Sequence, residues 1–240
     1  TAAASTGSTF TGWSEAGCTG TTCEVTMDQA RSVTATFTLD TYLLTVIKDG
    51  TGAGTVTSSP AGIDCGTTCS ADFDYNTPVT LTAAASTGST FTGWSEAGCA
   101  GTTCVVTMDQ AKSVTATFTL NTYTITATAG TGGSISPSGE VLVNHGSNQN
   151  FTISASTGYR IKDVLVDSVS EGAVGTYTFT NVTTNHTIEA SFQRIFTLTM
   201  AVAPSAGGTT IPAVGSYVYD EWAVVDIEAM PNSGYRFTQW

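Results

Sequence analysis

The stretch Thr82–Tyr123 repeats Thr1–Tyr42 almost letter for letter, 81 residues (82 minus 1) further along, with four differences: Thr19/Ala100, Glu24/Val105, Arg31/Lys112 and Asp40/Asn121. An internal repeat constrains a fold more than local propensity does, because each copy must bury its own apolar face or share it with a neighbour. Two weaker copies follow on the same skeleton. Setting Ser86-Thr87-Gly88 against Ser156-Thr157-Gly158 and Asn232-Ser233-Gly234 aligns Leu81 with Phe151 and Ile227, Phe91 with Ile161 and Phe237, and Trp94 with Val164 and Trp240. Likewise Val33-x-Ala35-x-Phe37 and Val114-x-Ala116-x-Phe118 match Ile188-x-Ala190-x-Phe192. Apolar positions survive where the letters change, as a common core requires.

The repeat divides the chain into residues 1–40, the later part of one copy; 41–121, a complete copy with two cysteine pairs; 122–193, a complete copy without cysteine; and 194–240, the opening part of a fourth. Complete copies of roughly 70–80 residues are near the lower limit for a self-sufficient core. Threonine makes up about a fifth of the chain and charged residues only 11%, a profile of strands and turns with few helix formers. Val33, Ala35, Phe37 and Leu39 alternate with Ser32, Thr34, Thr36 and Thr38, the period of a strand buried on one face. Strands are expected at Phe10–Ser14, Cys23–Met27 and Ser32–Phe37, and in the complete copy at Tyr42–Ile47, Gly54–Ser58, Pro78–Ala84, Phe91–Ser95, Cys104–Met108 and Ser113–Phe118. The third copy repeats this plan, and Met108–Lys112 has room for one helical turn at most. The junctions Asp40-Thr41, Asn121-Thr122 and Gln193-Arg194 are too short for flexible linkers and imply a semi-rigid row.

GTVTSSPAGIDCGTTCS (Gly54–Ser70), VTLTAAASTGSTFTGWS (Val79–Ser95) and VTMDQAKSVTATF (Val106–Phe118) resemble the divergent internalin-type B-repeats found in tandem in large bacterial surface and secreted proteins. The resemblance covers essentially the whole chain, strongly to Leu120 and more weakly beyond. It implies an all-β tandem array of small β-grasp-like or β-sandwich-like modules with stalk or adhesion roles and no enzymatic activity.

Net charge is −12, from 19 acidic against 7 basic residues, so a phosphate backbone or anionic bilayer would be repelled, and no apolar run approaches a membrane span. The six cysteines lie in three close pairs. They allow 15 connectivities, of which Cys18–Cys23, Cys65–Cys69 and Cys99–Cys104 is the simplest, each closing a short turn. Disulfides imply an oxidising, extracellular setting. A zinc site from Cys65, Cys69, Cys99 and Cys104 is the sharper alternative, but the spacings are loose for zinc and the third copy lacks all four. No metal or other cofactor is therefore expected.

Trp13, Trp94 and Trp240 recur at one repeat position, where Val164 in the third copy points to packing over sugar stacking. Trp222, beside Tyr217 and Tyr219, has no equivalent in the other copies, and these three residues are the candidate contact surface. His186 aligns with Lys112 and Arg31 at a surface turn, His145 lies in a turn sequence, and no nucleophile, base and acid assemble from spacing. Asp72 and Asp74 fall on one strand face near Asp64, without calcium-loop spacing. The expected function is a non-enzymatic extracellular spacer, stalk or filament segment, with a carbohydrate-binding array on a secreted hydrolase as the alternative. Expected partners are the chain's own continuation or head-to-tail neighbours completing the partial copies, and glycans or cell-surface ligands, with no nucleic acid and no membrane insertion.

Overall fold

The computed structural model describes every residue from Thr1 to Trp240 and contains twenty strands and no helix. Two compact units divide at Asn121 and Thr122.

In the first unit, β1 (Ser8–Trp13) and β2 (Ala35–Leu39) pair antiparallel, and after Asp40 the complete copy supplies β3 (Thr41–Asp49), β4 (Gly54–Ser59), β5 (Ser70–Asp74), β6 (Pro78–Ala85), β7 (Ser89–Trp94), β8 (Thr103–Thr107) and β9 (Lys112–Leu120). One sheet has the order β5-β3-β9-β7, the other β4-β6-β8. Within the first, β3 and β9 run parallel while the outer pairs are antiparallel. The period-two pattern sends Leu44, Val46, Val114, Ala116 and Phe118 of one sheet and Val56, Val79, Leu81, Ala83 and Val106 of the other into a single buried cluster. The module is thus a four-on-three sandwich, built by alternation alone.

Glycines set how closely the turns approach this core. A Cβ on Gly54 would stand 2.1 Å from the Phe118 ring, so only a residue without a side chain lets that ring lie against β4.

Two expectations for these stretches fail. Met108–Lys112 makes no helical turn, because Met108 is fully buried and its backbone is pinned from both sides: its amide donates to Thr77 O at 3.0 Å and its carbonyl accepts from Asn76 N at 2.9 Å. Cys23–Met27 forms no strand, although its counterpart β8 does. β8 is held by β6, whereas Cys23–Met27 pairs with no strand, and Met27 is 72% exposed where Met108 is 0%.

The second unit contains β10 (Thr122–Ala129), β11 (Gly133–Ser136), β12 (Gly139–Asn144), β13 (Gln149–Ala155), β14 (Tyr159–Val166), β15 (Val169–Ser170), β16 (Thr176–Phe179), β17 (His186–Met200), β18 (Gly208–Ile211), β19 (Gly215–Asp220) and β20 (Glu228–Pro231). The third copy rebuilds the sandwich, with β12-β10-β17-β14 facing β11-β13-β16 across Ile125, Phe151, Ile153, Val164 and Ile188. Its first and last strands, β10 and β17, are again parallel neighbours. No linker separates the third copy from the fourth, since β17 crosses Gln193-Arg194 unbroken and then pairs with β19. The fourth copy adds the two-stranded sheet β18-β20.

Candidate functional site

The cysteines stand at the two places where the cysteine-free copy is built differently. Cys18–Cys23, Cys65–Cys69 and Cys99–Cys104 are disulfide-bonded and no cysteine is free, so no thiolate set exists for zinc. Cys65–Cys69 closes the connection from β4 to β5, which crosses between the two sheets. The Cys65 amide donates to Val56 O of β4 and the Cys69 carbonyl accepts from Val46 N of β3, both at 2.7 Å, so the bridge ties one edge of each sheet to the other. In the third copy that crossing is only Pro137-Ser138, too short to need a staple. Cys99–Cys104 closes the loop between β7 and β8. The third copy replaces it with the β14–β15 hairpin, turning at Asp167 and Ser168 with φ of 48° and 68°.

The aromatic candidates separate into packed and exposed. Phe91 lies between Trp94 and Phe118, with ring centroids 5.0 and 5.3 Å away, and Trp94 packs on the core cluster. Val164, its counterpart, is fully buried. Trp222 is instead 90% exposed. It sits in the turn Asp220–Ala223, closed by Ala223 N donating to Asp220 O at 3.0 Å. The same turn occurs at Asp74–Thr77 and Asn144–Ser147, so, against the expectation that it has no equivalent, Trp222 has positional counterparts in Asn76 and Gly146. All three are left-handed, with φ of 69°, 64° and 78°, a conformation that asparagine and glycine tolerate and a tryptophan adopts at a cost. Tyr217 and Tyr219 alternate onto the face that carries Ala71 and Phe73 in β5, and the Tyr217 hydroxyl donates to Ala213 O at 2.9 Å, whereas Val218 faces out. The two tyrosines are therefore inward-side residues of their module, and Trp222 is the outward one.

Both carboxylates of the Trp222 turn are paired. Arg160 reaches both oxygens of Asp220, its Nε donating at 2.7 Å, and Arg194 lies 3.5 Å from Glu221 while its guanidinium stacks 4.7 Å above the Phe196 ring. The Arg160–Asp220 pair links the third copy to the fourth. Between the first and second, the Tyr75 ring lies over Gly7, while Thr9 Oγ1 donates to Asp40 Oδ1 at 2.6 Å within the first. One backbone bond recurs at both junctions: Tyr75 N to Asp40 O at 2.8 Å and Glu221 N to Arg194 O at 2.9 Å.

An acid, a base and a hydroxyl do come together in one place that sequence spacing did not reveal. His186 Nδ1 is 2.7 Å from Asp167 Oδ2, and its Nε2 is 3.4 Å from Thr184 Oγ1. Burial pushes the Asp167 carboxyl up, but hydrogen bonds from His186 and from the Thr187 amide outweigh it and hold the group below the usual carboxylate range. The repeat supplies a structural account. Arg31 pairs with Asp28 and Glu15, and Lys112 with Asp109, so this position holds a basic side chain against a carboxylate in each of the three copies. Asp72 and Asp74 both lie on the exposed face of β5, and no three His, Cys, Asp or Glu side chains gather as metal ligands would.

No curated relative matches the chain. Among solved structures, the Bacillus anthracis TIE protein aligns at a TM-score of 0.40 and 8% identity over 83% of this chain and 47% of its own, so the chain spans about half of it. A major pilin of Streptococcus pyogenes aligns at a TM-score of 0.30 and 11% identity, over 65% of this chain and 99% of its own. TM-scores below 0.5 define no shared fold. The model of the divergent InlB B-repeat domain matches residues 1–41, 44–122, 123–196 and 198–240, which follows the repeat from end to end. On that match, and on the two sandwiches built to one plan, the chain belongs to the divergent InlB B-repeat family.

Proposed function

We propose that this chain is a non-enzymatic structural segment that sets the distance between parts of a bacterial surface or secreted protein. The observation that carries the reading is that the third copy preserves the sandwich of the second while changing the features that could form a site. Both disulfides and the Trp94 side chain are absent from the third copy, whereas the parallel first and last strands and the buried positions remain. A spacer requires that pattern, because its output depends on how many modules there are and not on what any one of them binds. An extracellular or cell-surface location fits the repeat family and the three disulfides.

The test is a donor–acceptor fluorophore pair at the two chain ends, in a series with the cysteine-containing copy deleted, present once or duplicated. End-to-end separation should rise with each copy, and exchanging residues 41–121 for a second copy of 122–193 should preserve it. A separation that does not depend on copy number would overturn the reading.

One observation favours a second, adhesive role. Trp222 is exposed at a turn position where its counterparts are ordinary turn formers. A neutral sugar ring needs a single stacking face with polar partners beside it, and Trp222 with the Arg160–Asp220 and Arg194–Glu221 pairs offers both. Retarded migration in gels containing hydroxyethylcellulose or laminarin, abolished by Trp222→Asn, would support it. Equal migration of both proteins would exclude it for those polymers.

A further inference from the structure

In each complete copy the first strand and the last strand lie side by side and parallel. β3 and β9 pair from Leu44↔Lys112 to Asp49↔Thr117, and β10 and β17 from Ile125↔His186 to Ala129↔Ala190. The chain enters the second copy at Thr41, the start of β3, and leaves it at Leu120, the end of β9. Tension along the chain therefore pulls these two neighbours in opposite directions along a shared axis. Their hydrogen bonds lie across the pull, carry it together and must fail together. The antiparallel pair β7–β9 behaves differently. Ser89 faces Leu120 at one end of that ladder, so a pull on those two residues opens it one bond at a time.

We infer that the parallel pair is a mechanical clamp and that each complete copy bears load along the chain. This rests on the spacer reading for the direction of the load and adds to it a mechanism of resistance. Leu44, Val46, Val114, Ala116 and Phe118 put one side of the clamp wholly in the core, where water does not reach to exchange with a stretched bond. Beyond the ladder, the Gly52 amide donates to Phe118 O at 3.0 Å, and in the third copy the Gly130 amide donates to Ala190 O at 2.8 Å. A Cβ on Gly50 would stand 2.1 Å from Phe118 O, so glycine is what lets the β3–β4 turn close over the end of β9. The clamp persists in a copy that has lost both disulfides and the tryptophan. From the third copy the load passes to the fourth through the unbroken backbone of β17.

Optical-tweezers pulling on the full chain tests this by direction. With handles at the two chain ends, the second and third copies should unfold in separate steps at high force. With handles at Thr87 and Thr122, which load Ser89 against Leu120, the second copy should open at a several-fold lower force. Val46 donates to Cys69 O, so by alternation the Ile47 amide faces β9, and Ile47→Pro should lower the end-to-end force of the second copy. Leu81→Ala, in β6 of the facing sheet and outside the β3–β9 ladder, should reduce thermal stability while retaining most of that force. If Ile47→Pro prevents folding, the comparison of directions on the unaltered strands decides alone. Equal or greater force across Ser89 and Leu120, or an end-to-end force unchanged by a folded Ile47→Pro variant, would overturn the clamp. The direction dependence is read within one copy whether or not the chain is a spacer, and the separation series reads the spacer whether or not the clamp holds.

Discussion

Refolding the chain in the presence of a reductant should destabilise the second copy and leave the third untouched. Cys65–Cys69 and Cys99–Cys104 close sequence separations of 4 and 5 residues. By the loop-entropy relation each is worth about 2 kcal/mol, so the second copy loses about 4 kcal/mol in all. For a module this small, each kcal/mol moves the melting midpoint by roughly 4–8 °C, giving a fall of about 15–30 °C. The third copy contains no cysteine and serves as the control within the same molecule. Calorimetry should show one transition moving down while another stays, and hydrogen exchange should assign the moving one to peptides of β3 and β9 and the fixed one to β10 and β13. Two transitions that fall together, or neither falling, would refute the argument that the bridges staple the long crossing and loop of their own module.

Gly54→Ala drives a methyl to within 2.1 Å of the Phe118 ring, and Gly133→Ala does the same at 2.2 Å from Phe192. Each should cost about 1–3 kcal/mol in denaturant unfolding, and Phe118→Leu should relieve the first. Phe151→Ala empties a fully buried position of the third copy and should cost about 3–5 kcal/mol there, read by the same unfolding curve. Trp222→Asn, matching Asn76, should raise the unfolding free energy from denaturant titration by an amount on the order of 1 kcal/mol, because it removes a bulky residue from left-handed backbone. Asp167 has a depressed folded-state pKa, so its contribution is present above the unfolded carboxylate value and is lost as pH falls through the folded one. Asp167→Asn should accordingly flatten the acid limb of the third copy's stability, measured by thermal unfolding across that range.

The all-β class, the repeat and the buried positions were legible in the sequence because each is local or periodic. Alternation names Val114, Ala116 and Phe118 as inward, and they are buried. Short strands bounded by turn residues were harder. β12 carries only two inward positions, Val141 and Val143, and was not expected as a separate strand, while β5, with Ala71 and Phe73 inward, was legible only through Asp72 and Asp74 sharing a strand face. What the sequence could not express is pairing at long range. Nothing local says that Leu44 lies beside Lys112, or that Asp167 reaches His186 across a hairpin. The turn at Trp222 was hidden for a related reason. Its likeness to Asn76 and Gly146 lies in backbone φ and a closing hydrogen bond, while the three residues themselves share no side-chain chemistry.

The strand order is the claim on which the rest depends, and solution NMR of the full chain tests it most directly. Cross-strand nuclear Overhauser contacts should place Val46 beside Val114 and Ala127 beside Ile188 in a parallel pattern, once in each complete copy. An antiparallel pattern at either pair, or first and last strands that are not neighbours, would contradict the account.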